Sequence, residues 1–168
     1  MENTEIPGVL KIKNFSQLDS RGLFVKSLNC QNLKELDFNL QESFYSVSKK
    51  NVLRGMHFQL PPFDQNKIIN VSFGKILDVI LDLRLDSLTY GHYEVFEISK
   101  DSNFSLYIPS GLAHGFYSLE DNSTVNYLVS SLHSKEHDKG ILYNSFGFDW
   151  ECENPIISKR DLNFPNFK

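Results

Sequence analysis

Four side chains in this sequence are of the types that hold an anion and move a proton. Arg54 and His57 lie within Val52-Leu53-Arg54-Gly55-Met56-His57-Phe58-Gln59, Lys67 follows, and His114 lies within Pro109-Ser110-Gly111-Leu112-Ala113-His114-Gly115-Phe116. A guanidinium forks onto phosphate oxygens. Imidazole takes and returns a proton near neutral pH. An ammonium group stabilises an oxyanion as it forms. The set points to an enzyme acting on a phosphate-bearing substrate.

Each of these residues also has an ordinary reading. A lone strand histidine is usually a hydrogen-bonded structural residue, and a lone lysine such as Lys67 is usually at the surface. Tyr127, in an apolar run, reads as a core or edge tyrosine, and Asp161, in Ser158-Lys159-Arg160-Asp161, as a solvated tail charge. Residue type alone does not select either of them.

The elements that must position these groups are strands. Short runs of Val, Ile, Phe, Tyr and Leu alternate with Gly, Pro, Asn, Asp and Ser, the pattern of an all-β sandwich or barrel. The runs predict strands over 9–13, 23–27, 44–48, 52–58, 67–73, 75–84, 92–98, 106–108, 115–118 and 124–131, and one short helix over 31–37. Turns at Phe73-Gly74-Lys75 and Leu119–Ser123 predict hairpins. Along 76–84, Leu77, Val79, Leu81 and Leu83 share one apolar face, while Asp78 and Asp82 share the other with Ile76 and Ile80. That second face either lines a polar pocket or meets solvent. Strict alternation puts Arg54 and His57 on opposite faces of their strand, unless a bulge at Gly55 resets the parity.

Composition narrows the class. With 168 residues, 40% hydrophobic and 23% charged, the chain has the make-up of one soluble globular domain, 1–168. A net charge of −4 gives no footprint for nucleic acid. No apolar run approaches a membrane span, and no signal peptide is recognisable. Cys30 and Cys152 have no metal or redox spacing, so a reduced, cytoplasmic setting is the simplest reading.

The Pro-Ser-Gly-Leu-Ala-His stretch matches half of the motif pair that marks metal-binding cupins. The other half fails, because Gln59 stands where the second histidine of His-x-His would be. With only His57 and His114 well placed, no metal is expected. His133 and His137, in a loop rich in Ser, Lys and Glu, read as solvated.

The whole chain resembles the dTDP-4-dehydrorhamnose 3,5-epimerase family. The resemblance runs through Ser20-Arg21-Gly22-Leu23-Phe24, Ser46–Gln59, Gln65-Asn66-Lys67, Gly74–Val79, Asp82–Gly91, Ile108–Phe116, Tyr127, Asp149-Trp150 and Ser158–Asp161. It implies a cupin-type jelly roll with one or two short helices, no cofactor, and a homodimer with exchanged N-terminal strands. The implied activity is an isomerase that epimerises C3 and/or C5 of a nucleoside-diphosphate 4-keto-6-deoxy sugar. On that resemblance His57 is the base, Asp161 its orienting carboxylate, Tyr127 the opposite-face acid and Lys67 the group beside the C4 oxygen. Arg54 contacts the diphosphate and His114 the sugar. Arg21 and Phe24 reach the nucleotide from the partner, and Gln59, Glu42 and His133 also fall among the substrate-binding positions.

This chain departs from the family pattern at the nucleotide end. Glu42-Ser43-Phe44 replaces the usual Gln-x-Asn, Lys26 stands where glutamate is common, and Leu132 and His133 replace a Tyr-Tyr pair. The expected nucleotide is therefore not restricted to dTDP. A ketoisomerase and a non-catalytic sugar-nucleotide binder are the competing readings.

Overall fold

The computed structural model describes residues 1–168 and is built almost wholly of strands. In chain order they are β1 (Glu2–Asn3), β2 (Leu10–Lys13), β3 (Phe15–Asp19), β4 (Gly22–Lys26), β5 (Glu42–Ser48), β6 (Leu53–Gln59) and β7 (Lys67–Phe73). There follow β8 (Lys75–Asp82), β9 (Tyr93–Ser99), β10 (Phe104–Ile108), β11 (Leu112–Ser118), β12 (Ser123–Val129) and β13 (Asp138–Gly140). A helix α1 (Cys30–Glu35) and a 3-10 turn (Asp161–Asn163) complete the set. The helix is opened by Asn29, which accepts from the Asn32 N–H while the Asn32 side chain accepts from the Asn29 N–H.

The strands form a six-stranded sheet, β1-β2-β10-β7-β12-β5, and a five-stranded sheet, β13-β6-β11-β8-β9. Their pairings are antiparallel, and the two sheets pack face to face as a jelly roll. Between them lie Ile69, Val71, Leu106 and Val125 from one sheet and Ile76, Ile80, Phe96, Ile98 and Phe116 from the other. Outside the six-stranded sheet, Ile12, Ile68 and Tyr107 pack with Phe38 and with Leu33 of α1. Outside the five-stranded sheet, Leu53, Val79 and Leu81 are covered by Phe146 and Trp150 of the irregular C-terminal segment.

That outer cover settles the two faces of β8. The apolar face, with Val79 and Leu81, turns outward beneath the C-terminal segment, and the mixed face turns into the sandwich. Asp78 and Asp82 are both fully buried there. Asp82 serves structure: its carboxylate accepts from Arg84, Ser87 and Thr89 and ties down the loop to β9.

The two expected hairpins are not formed. β7 and β12 lie in the six-stranded sheet, whereas β8 and β11 lie in the five-stranded one, so both turns carry the chain across the sandwich. Gly74, at φ +73°, and Ser123 meet there, with Ser123 Oγ donating to the Lys75 carbonyl at 3.0 Å. A tight turn reverses the chain, but the long-range burial of each strand decides which sheet it enters. Strand β3 and the three-residue β13 also lie outside the expected strands.

Candidate active site

Strand β6 carries Arg54 and His57, and its pairing with β11 solves the parity problem. His57 lies opposite His114 and Arg54 opposite Phe116, so three steps along β6 match two along β11. The extra residue is a bulge, and both side chains consequently line the same cleft. Gly55 sits in the bulge at φ +133°, where a Cβ would come within 2.5 Å of the Gly115 Cα. No other residue type fits this close approach of two backbones.

The bulge also exposes the Gly55 N–H, which donates to Asp161 Oδ2 at 3.2 Å. Asp161 Oδ1 accepts from His57 Nε2 at 3.0 Å. Burial opposes ionisation of this carboxyl, but the His57 hydrogen bond and charge, with the Gly55 N–H, outweigh it and hold its pKa below the ordinary value. An ionised Asp161 fixes the proton on Nε2 and leaves the lone pair on Nδ1, the tautomer of a base.

The opposite wall comes from the six-stranded sheet. Lys67, at the start of β7, is buried and donates through Nζ to the His57 carbonyl at 3.2 Å. Burial lowers its pKa to about 8, against the pull of Asp138 and Asp78. Tyr127 of β12 stacks on Phe44 of β5 with ring centroids 4.8 Å apart. Burial, then the Asp78 carboxylate, raises the tyrosine hydroxyl above its usual range, so it keeps its proton at neutral pH.

His114 is buried on β11 with Nε2 2.6 Å from Asp78 Oδ2, and its ring stands edge-on to Tyr127 at 6.3 Å. Arg54 lies at the rim, its Nε donating to Ser48 Oγ at 3.0 Å. These groups surround a cleft of about 280 Å³, also lined by Gln59, His133, Asp138 and Arg160. Gln59 is engaged with backbone: its side chain donates to the Phe63 and Leu132 carbonyls and accepts from the Ser134 N–H. Glu42 accepts from the His133 N–H at 3.1 Å, so these two residues pin the loop at the cleft mouth. The His133 ring is not simply solvated: Nε2 lies 3.1 Å from Asp138 Oδ2, which also takes Arg160 at 2.7 Å.

Arg21 and Phe24 are not brought to this cleft. They stand on the exposed β3–β4 hairpin, where Arg21 pairs with Asp19 at 2.6 Å. The sequence does not single out Asp138 or Arg160 as cleft residues, and Phe44 is marked only as a departure at the nucleotide end. Arg160 adjoins Asp161 in the motif and could have been found there. Asp138 lies on a strand too short to show any alternation. No group of three or more His, Cys, Asp or Glu side chains is arranged to hold a metal ion.

The family model described as dTDP-4-dehydrorhamnose 3,5-epimerase matches residues 3–168. The chain is 35% identical to the dTDP-4-dehydrorhamnose 3,5-epimerase of Shigella flexneri, over 98% of this chain and 93% of that protein. Its structure is similar to that of the Bacillus anthracis enzyme of the same name, solved with TDP and pyrophosphate bound, with a TM-score of 0.93 and 34% identity. That likeness covers 98% of this chain and 97% of the other. A 3′-monoepimerase from Streptomyces bikiniensis, in complex with dTDP-quinovose, is similar at a TM-score of 0.92 and 28% identity, over 99% of this chain and 87% of that one. With a full-length match in sequence, a jelly roll in common and a cleft lined from both sheets, this chain belongs to the dTDP-4-dehydrorhamnose 3,5-epimerase family.

Proposed function

We propose that the cleft inverts C5, C3 or both in a nucleoside-diphosphate 4-keto-6-deoxy sugar, a step of deoxysugar biosynthesis for a surface polysaccharide or glycoside. The observation that carries this reading is the placement of His57–Asp161 and Tyr127 on different sheets, facing one cavity. A hydrogen on carbon beside a ketone is acidic because the resulting carbanion delocalises onto oxygen as an enolate. His57 removes that proton through Nδ1. Lys67 stabilises the enolate oxygen, a charge that appears only along the reaction path. Tyr127 protonates the carbon from the other side of the ring, and the centre inverts.

Arg54 meets the diphosphate at the rim, and His114 contacts the sugar. No cofactor takes part. The enzyme works as a cytoplasmic homodimer in which N-terminal strands are exchanged, so that Arg21 and Phe24 of one copy reach the nucleotide bound by the other. The full exposure of the β3–β4 hairpin supports this arrangement. Around the nucleobase, Glu42 and His133 depart from the family's usual residues, and the nucleotide is not necessarily dTDP, with CDP, GDP and UDP equally to be tested.

Incubation with 4-keto-6-deoxy sugars carried on dTDP, CDP, GDP and UDP in deuterated water tests both parts. Deuterium enters C3, C5 or both in the parent enzyme and neither in His57→Ala. In Tyr127→Phe, exchange persists while inversion is nearly lost, since one base can wash a proton in and out unaided. Normal inversion by Tyr127→Phe would remove Tyr127 from its role. Turnover on dTDP alone would sink the broader nucleotide range and leave the epimerase reading intact.

A further inference from the structure

His57 makes one side-chain hydrogen bond, through Nε2 to Asp161. The backbone tether at Cβ and a single bond at Nε2 leave the tilt of the imidazole plane loosely held, so the aim of Nδ1 is incompletely set. Proton abstraction needs that aim, because small misplacements of a reacting group cost large factors in rate. The second constraint is aromatic. The Phe164 ring stands edge-to-face with the imidazole, centroids 5.6 Å apart and planes at 82°, the favoured geometry for such a pair.

The room for Phe164 comes from Gly140. On the β13–β6 pair Gly140 lies directly opposite His57, where a side chain would ordinarily stand beside the imidazole. A Cβ at Gly140 would overlap the Cδ2, Cε2 and Cζ atoms of Phe164. Phe164 therefore takes the space that a cross-strand neighbour would fill. The turn that supplies it is the one that supplies Asp161: Asp161 opens the 3-10 turn, and Phe164 caps it with its N–H to the Asp161 carbonyl. Phe164 is itself held within that turn, by the guanidinium of its N-cap residue Arg160, 5.1 Å from the ring centroid.

We infer that Phe164, seated in the space left by Gly140, is a positioning residue that sets the plane of the His57 imidazole for proton abstraction. This rests on His57 being the base. Phe164→Ala lowers kcat by about ten- to a hundredfold while KM stays within about threefold, since substrate contacts are untouched. Phe164→Leu, which refills the volume, recovers most of the rate. Gly140→Ala pushes Phe164 aside and lowers kcat in the same way, but adds little on top of Phe164→Ala.

Nitrogen-15 NMR of His57 separates positioning from collapse of the turn. In Phe164→Ala the Nε2–H tautomer persists, because Asp161 is still bonded, while the ring signals broaden. A kcat within twofold of the parent, or a rate loss accompanied by loss of that tautomer, would overturn the inference. Retained exchange in His57→Ala would instead overturn the base assignment, and the NMR result would still report whether Phe164 holds the ring.

Discussion

Lys67 shows the conflict between stability and chemistry in a single side chain. Burial depresses its pKa to about 8, so at neutral pH a charged ammonium is held where the fold would favour a neutral group. Below about pH 8 the folded lysine carries the charge that its proposed role beside an enolate requires; above it, the charge is lost. The alkaline limb of the kcat profile is therefore expected near pH 8, well below the value for an exposed lysine. Stability runs the other way. Between about 8 and the unfolded value of 10.5 the unfolded chain binds the extra proton, so folding stability rises with pH across that window. Lys67→Met is expected to raise the thermal midpoint, by an amount on the order of 2–3 kcal/mol of stability at pH 7, and to abolish inversion. Calorimetry beside the kinetic assay checks both; a midpoint unchanged or lowered would mean that the buried charge is already compensated.

At the scale of elements, strand β6 is the one on which the site depends. Without the bulge, Arg54 and His57 would face opposite sides of the sheet, and the anion grip would be lost to the base. Gly55→Ala combines a positive φ with a contact of 2.5 Å against the Gly115 backbone. It is expected to cost about 2–4 kcal/mol and to disturb the Gly55 N–H···Asp161 bond, lowering both thermal midpoint and kcat. A variant that keeps parental stability would show that the close approach relaxes. Here the sequence was legible to a definite depth. Alternation locates most strands, and the parity conflict between Arg54 and His57 points to Gly55 from the sequence alone. Gly74 and Ser123 were read as hairpin turns, yet they cross the sandwich, because turn chemistry is local and sheet membership is not. Asp138 and Arg160 line the cleft, and Phe164 packs on His57, from the mostly irregular segment after β12, where no periodicity marks a face.

For the molecule as a whole, the β3–β4 hairpin is the feature that supports the proposed dimer. Its strands pair only with each other, all ten of their residues are exposed, and Leu18 and Leu23 face each other at 77% and 50% exposure. An isolated hairpin is barely stable in water, and an apolar one is rarely left uncovered. Sedimentation is expected to give a dimer, and Leu18→Asp with Leu23→Asp a monomer with raised KM; a monomeric parent protein would refute this. The division of labour between the sheets has a further consequence. The proposed base and acid, His57 and Tyr127, belong to opposite layers of a sandwich whose spacing, about 10 Å in such folds, is set by the side chains packed between them. The core residues Ile69, Leu106 and Ile80 pack in this filling, Ile69 opposite Tyr127 and Ile80 opposite His114, so on the proposed mechanism they gauge how far the proton donor stands from the carbon. If His57 and Tyr127 act as proposed, thinning or swelling that filling is expected to change the ratio of stereochemical inversion to simple isotope exchange, which would make the hydrophobic interior a determinant of stereochemical fidelity.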